Sequence, residues 1–209
     1  MPHQFNIPDE IIDGVCTGRL FPEAYSPFLE PIHKHHVIGV NNAYMIGEWI
    51  DAIFFGDGGY YLVHRKALAN RAGLKLTCHP KFANKKSADM EGVKFLQRDH
   101  SKKQGISNNP KKVCWNGNSG AAAISVAASF GVKKMFLLGF DMMASKFTHW
   151  HGHHGNKVKP GPYKRHLKGF PQIARDAVAR GIEIWNVNME SQINSFPKIT
   201  LDEALSKCG

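Results

Sequence analysis

No stretch of this chain approaches the roughly 20 consecutive apolar residues that a membrane-spanning helix needs, and no membrane partner is expected. The opening MPHQFNIPDE lacks the basic-then-apolar pattern of a secretory signal, so the expected location is cytoplasmic. Cysteine is scarce. Cys16, Cys78, Cys114 and Cys208 show no C-x-x-C spacing, which argues against a disulfide framework or a zinc ribbon and reads as free thiols. Acidic residues are also few, 17 against 27 Lys and Arg, which leaves a net charge of +10. That surplus suits a polyanionic partner or a phosphate-bearing ligand, and equally a solvated basic surface. There is no internal repeat, low-complexity run or linker, so residues 1–209 read as a single domain.

What is present is an alternation of apolar runs and helical stretches. Trp115–Asp141 (WNGNSGAAAISVAASFGVKKMFLLGFD) organises the rest. Trp115–Gly120 reads as a tight polar loop, Ala121–Phe130 as a small-residue helix capped by Gly131, and Lys134–Phe140 as a strand buried on both faces. Further strands are expected at Glu10–Cys16, Val37–Val40, Asp51–Phe55, Leu74–Cys78, Val93–Gln97 and Ile182–Val187. Helices are expected at Tyr60–Arg71, closed by Gly73, at Tyr163–Arg180, imperfect at Gly169–Pro171, and at Leu201–Leu205. Such alternation predicts an α/β fold: a Rossmann-like, mostly parallel sheet with helices on both faces. A long irregular segment, 142–162, then forms a His-rich lid loop.

In a parallel sheet the loops after the strands gather on one edge, where ligands bind. Four polar clusters fall there: Asn41-Asn42, Gly56-Asp57, Asn116–Ser119 with Gly120, and Asp141. Amides read base and ribose groups. The Asn118-Ser119-Gly120 turn offers a hydroxyl and helix amides to a phosphate. The lid carries His149, His151, His153 and His154 with Lys157 and Lys159. A loop His serves as a general base near neutral pH. The same HWHGHHG run also suits a zinc site built from His149, His151 and His153. Lys85–Lys86, Lys102–Lys103 and Lys111–Lys112 form basic loops that suit nucleic acid.

Several of these motifs together resemble the family 42 glycosyltransferases, the bacterial sialyltransferases that use CMP-sialic acid. They also resemble the related Rossmann group that includes the archaeal hydroxymethylpterin pyrophosphokinases. NSGAAAISVAASFGVKKMFLLGFD resembles the Ser-Gly, small-residue helix and G-x-D strand of that group. VIGVNNAY resembles the strand ending in the cytidine-binding Asn, which falls on Asn41. FFGDGG lies where the family has a second donor-binding Asn; Gly56 replaces it and Asp57 is adjacent. HWHGH resembles the motif whose last His is the general base, which falls on His153. The likeness runs from Val37 to Val187, and similar short chains occur in tailed phages.

The resemblance implies transfer of a sugar from a nucleotide-sugar, with a CMP-type donor favoured, to an acceptor hydroxyl deprotonated by His153. It implies donor contacts from Asn41, Asn42, Gly56, Asp57, Asn118, Ser119 and Gly120, with Asp141 and His149 nearby. No cofactor is then required. The family's lid tyrosines have no counterpart near Met142–Phe147, and Lys157, Lys159 and Tyr163 stand in as the groups that stabilise the departing phosphate. Through the pterin-kinase relatives it also implies an alternative, an ATP-dependent diphosphokinase in which Asp57 and Asp141 help to bind Mg²⁺. A third expectation is a non-catalytic basic module that binds nucleotide or nucleic acid. A homo-oligomer is compatible with all three.

Overall fold

A computed structural model describes residues 2–5, 29–84, 92–142 and 161–208. The strands β1 (Pro2–Phe5), β2 (His36–Val40), β3 (Ala52–Phe55), β4 (Leu74–Thr77) and β5 (Val93–Phe95) pair in parallel, in that order. The short strands β6 (Gln97–Arg98) and β7 (Lys112–Val113) form a parallel pair of their own. The last two strands, β8 (Lys134–Leu137) and β9 (Glu183–Asn186), form another, with β8 beside β1. From β1 the chain therefore builds to one side through β2–β5, and later to the other through β8 and β9. Such a reversal of strand order opens a crevice at the strands' C-terminal ends.

Alternate strand residues face opposite layers, as a period of two requires. Ile38, Val40, Phe54, Leu76, Met135 and Leu137 enter one core cluster. They pack with the buried Ala and Val residues of α2 (Ser119–Ser129) and with Phe170, Ile173 and Ala177 of α4 (Phe170–Ala179). Val37, Ile53, Phe55, Phe136 and Leu138 enter the other. Their partners are Tyr61 and Leu68 of α1 (Gly58–Ala69) and Ala204 of α5 (Leu201–Cys208). Helices thus cover both faces of a parallel sheet, which makes this an α/β fold and explains why β2, β3 and β8 are nearly pure apolar runs. No helix among the described residues is long and apolar enough to cross a membrane.

Local chemistry sets the helix ends. Asp57 caps α1 by accepting from the Gly59 N–H at 2.8 Å, and Asn118 caps α2 by accepting from Ala121 N–H at 2.8 Å. At the far end of α2, Gly131 takes a φ of +82°. Its N–H reaches the Ala128 carbonyl, while Val132 N–H reaches Ala127. This two-bond closure needs a residue tolerant of the left-handed region. Cys78 and Cys114 are free, fully buried thiols, and burial pushes the Cys114 pKa up to about 11.

Several expected boundaries shift. The stretch expected as one strand over Val93–Gln97 is two: after Phe95 the chain leaves β4 and pairs with β7 instead. The expected Tyr163–Arg180 helix is α3 (Gly161–His166), a 3-10 turn at Leu167–Gly169, then α4. Gly169 lies so close to Asn116 that a Cβ would meet its backbone oxygen at 2.9 Å. Gly73 does not close α1, which ends at Ala69 with Asn70 as its cap; Gly73 instead lets the backbone pass the Asp51 carbonyl. The strand expected over Glu10–Cys16 lies outside the described residues, as do Lys85–Lys86 and most of the lid, including His149, His151, His153, His154, Lys157 and Lys159.

The segment after β2 is held by one buried cation. Arg71 follows α1, and its side chain is 2% exposed. Its Nη1 donates to the Tyr44 carbonyl at 2.9 Å; its Nη2 donates to Gly47 at 2.6 Å and Ile50 at 3.3 Å. Glu48 sits 3.2 Å from Nη1 but is 76% exposed. Burial lowers the Arg71 pKa, Glu48 and Tyr44 oppose that, and a guanidinium starts high enough to stay charged. Arg71→Ala should lower unfolding free energy by about 3 kcal/mol, because three buried carbonyls lose their donor. Glu48→Ala should cost under about 1 kcal/mol. Urea midpoints of the two variants check this, and equal losses would refute the assignment of the work to the carbonyls.

Candidate functional site at the sheet's C-terminal edge

Asn41 and Asn42 leave β2 at the sheet's C-terminal edge. Asn41 takes a φ of +52°, an angle that Asn tolerates better than most residues. Asn42 is 2% exposed, and neither its Oδ1 nor its Nδ2 has a hydrogen-bond partner among the described residues. The Oδ1 of Asn41 is buried and unpartnered in the same way. Three amide atoms in two adjacent residues are thus removed from water without compensation. Each costs about 1–3 kcal/mol, so the arrangement calls for an acceptor and donors from elsewhere.

The next loop on this edge holds Gly56 and Asp57, between β3 and α1. Gly56 N–H donates to Ser119 Oγ at 3.2 Å, which joins the start of α1 to the start of α2. A Cβ at Gly56 would run into the Trp115 ring, so only glycine fits there. Ser119 keeps its own proton free to donate. Gly120 allows close approach to Phe140, whose ring a Cβ would meet at 3.0 Å. On the far side of Gly58 lies the His79 ring. Its Nδ1 accepts from Lys81 N–H at 3.3 Å, which places the proton of the neutral ring on Nε2.

Some expected contact residues also serve the fold. Asn118 uses its Oδ1 for the α2 cap and its Nδ2 for the His166 carbonyl at 3.2 Å, so its amide also positions two helices. Asp141 is bound up locally: its Oδ1 accepts from Met142 N–H at 2.6 Å, and its carbonyl accepts from Gln192 N–H at 2.8 Å. Asp57 follows β3 and Asp141 closely follows β8, with β1 and β2 between them. At the usual strand spacing the strands that lead to them are about 14 Å apart. Among the described residues no group of three His, Cys, Asp or Glu is placed to hold a metal, and the His149–His153 cluster lies outside them. Tyr163 is half-buried on α3, its ring edge-on to His166 at 6.5 Å. Desolvation, aided by Arg165, lowers the His166 pKa, so this ring stays neutral at pH 7.

The sequence places Trp115 and Asn116 in the polar turn before α2, but not their partners, and it gives no role at this site to Arg98 or to the chain from Asp99 to Ser107. Asn116 has a φ of +57° and is 3% exposed. Its Oδ1 accepts from Gly105 N–H at 2.6 Å; its Nδ2 donates to the carbonyls of Gly105 at 3.0 Å, Cys114 at 3.1 Å and Ala121 at 3.3 Å. It thereby ties the basic loop to the first turn of α2. That loop is anchored again by Lys102 on Asp176 at 2.6 Å, and Asp176 also accepts from Ile106 N–H at 2.7 Å. Asn-Gly in a sequence announces a left-handed turn, but nothing local announces its distant partners.

No family model, curated protein or solved structure matches this chain.

Asn116→Ala should cost about 3 kcal/mol or more, since four buried backbone groups lose a partner and alanine resists the backbone angle. Asn116→Gly keeps the angle accessible and should cost less. An alanine variant within about 0.5 kcal/mol of the parent in a urea melt would contradict this. A second expectation concerns acid. Asp99 accepts from Ser101 Oγ and Ser107 Oγ, each at 2.5 Å, and these bonds, led by Ser101, hold its pKa down to about 2. The unfolded carboxyl titrates near 3.9, so Asp99 contributes about 2 kcal/mol above that pH. The contribution is lost as pH falls from about 4 through 2. Asp99→Asn should therefore be less stable at pH 7 and flatter across that window, as read from melts at successive pH values. A parallel pH profile would argue against the role.

Proposed function

We propose that the protein is a nucleotide-dependent transferase of the glycosyltransferase type, which moves a sugar from a nucleotide-sugar to an acceptor hydroxyl. A CMP-type donor is favoured. The observation that carries this reading is the buried, unpartnered amide pair Asn41–Asn42 at the end of β2. An amide that both donates and accepts is suited to the polar edge of a base or ribose. The Gly56–Ser119 bridge at the start of α2 and the basic composition support a phosphate alongside it.

In the proposed reaction the acceptor oxygen attacks the anomeric carbon, and the bond from that carbon to the donor phosphate breaks. The phosphate leaves with the electron pair as part of the nucleotide. The acceptor's proton passes to His153. Lys157, Lys159 and Tyr163 are the proposed stabilisers of the leaving phosphate. Asn118 takes the role of a helix cap in this scheme, and Ser119 that of the hydroxyl contact.

A thermal-shift screen against CMP, CDP, UDP, GDP, ATP and their sugar conjugates, with and without Mg²⁺, tests the reading. A ligand at 100 times its dissociation constant adds about 2.7 kcal/mol, or about 5–10 °C for a chain of this size. The expected outcome is a metal-independent shift with one nucleotide and its sugar conjugate, reduced in Asn42→Ala. His153→Ala should keep that shift and lose transfer. A shift confined to ATP with Mg²⁺ would favour diphosphate transfer instead, and silence from every nucleotide would end the proposal.

A further inference from the structure

Arg98 ends β6 on the same edge and has no assigned work. Its Nε donates to the Cys78 carbonyl, just past β4, at 2.7 Å. Its Cζ stands 4.5 Å from the centroid of the Trp115 ring. These two contacts fix the plane of the guanidinium on one side. Apart from the Cys78 thiol, which also hydrogen-bonds the guanidinium, no further acceptor and no carboxylate among the described residues meets it. A half-buried guanidinium with no carboxylate partner stands apart from Lys102 and Arg71 among the described residues. Lys102 is held by Asp176, Arg71 by Glu48 and three carbonyls, and Arg180 by the Ile106 carbonyl and Asn108 Oδ1.

The surroundings define what the fork can take. The Trp115 ring that carries Arg98 also packs on Gly56, whose N–H meets Ser119 Oγ. Arg98 is thus linked through one aromatic ring to the bridge between α1 and α2. Asn118-Ser119-Gly120 brings no acid to that side. The acid next to Arg98 in sequence, Asp99, spends its carboxylate on the Ser101 and Ser107 hydroxyls, and Asp57 is turned onto the Gly59 N–H. A planar fork with paired N–H groups matches two oxygens of one phosphate.

We propose that Arg98 is an anion-binding residue that grips the phosphate or diphosphate oxygens of the nucleotide, held ready by the Trp115 ring and the Cys78 carbonyl. This rests on the nucleotide reading for the identity of the whole ligand, and on Arg98 alone for the anion. The guanidinium supplies positive charge from the sheet edge.

Isothermal titration of the full chain with inorganic pyrophosphate, CMP and cytidine tests it, on the parent, Arg98→Gln and Arg98→Lys. Melting curves report whether each variant is folded. The parent should bind pyrophosphate and CMP, more weakly as salt rises. Arg98→Gln should weaken both by about tenfold or more, the scale of a charged hydrogen-bonded contact, and leave cytidine within about twofold. Arg98→Lys, which keeps the charge without the fork, should fall between, and it carries the test if the Gln variant does not fold. Pyrophosphate binding that depends on Arg98, with no response to CMP beyond it, would uphold the anion site and remove the nucleotide reading. CMP binding indifferent to Arg98 would do the reverse. A parent that ignores pyrophosphate would overturn the inference.

Discussion

The geometry of the sheet edge depends on the side-chain amide of Asn116. Four backbone groups from three stretches of chain close on one planar group inside the protein. The bonds are worth more there than at the surface, because the broken state would leave each group dry and unpaired. Through them the basic loop, the end of β7 and the first turn of α2 become one body. Gly169 then packs against Asn116, and Asn118 reaches the His166 carbonyl, so the α3–α4 junction is registered on the same point. The close approach of Gly56 to Trp115, and so the bridge to Ser119, follows from where that body sits.

Two polar systems with opposite bookkeeping meet on this edge. One is saturated: Asn116, Asn118, Asp99 and Asp176 have their buried atoms matched within the fold. The other is open: Asn41, Asn42 and the Arg98 fork leave strong donors and acceptors unmatched among the described residues. Saturated groups hold shape; open ones carry the capacity to recognise something. The contrast separates Asn118 from Asn42, two residues that look alike in the sequence.

Much of the fold was legible because parallel strands covered on both faces are apolar without interruption. Val37–Val40 and, after its first residue, Asp51–Phe55 announced themselves that way, as did the small-residue helix α2 by its Ala and Ser content. The split at Leu96 was not legible, since changing partners between β4 and β7 leaves no mark on side-chain pattern. The strand reading of Glu10–Cys16 and the role of the His-rich segment fall outside the described residues. At the site, the sequence showed which residues follow strands but not which are consumed by the fold. An Asn before a helix is a cap and a ligand contact by the same pattern, and only partners in space decide. The stack of Arg98 on Trp115 went unnoticed because it joins residues from different strands.

The same change of partners at Leu96 has a consequence for how this protein behaves in company. A parallel sheet ending in a long, straight strand offers a row of bare amides that recruits other chains. Here β5 is three residues long, and its continuation is already committed to β7. At the opposite side β9 is covered by the returning tail: Asn186 N–H meets the Pro197 carbonyl, and Ile199 N–H meets the Asn186 carbonyl. One border is thus short and the other partly covered by the chain's own backbone. Among the described residues, a second copy of this protein therefore meets few unpaired strand amides at either border through which to extend the sheet.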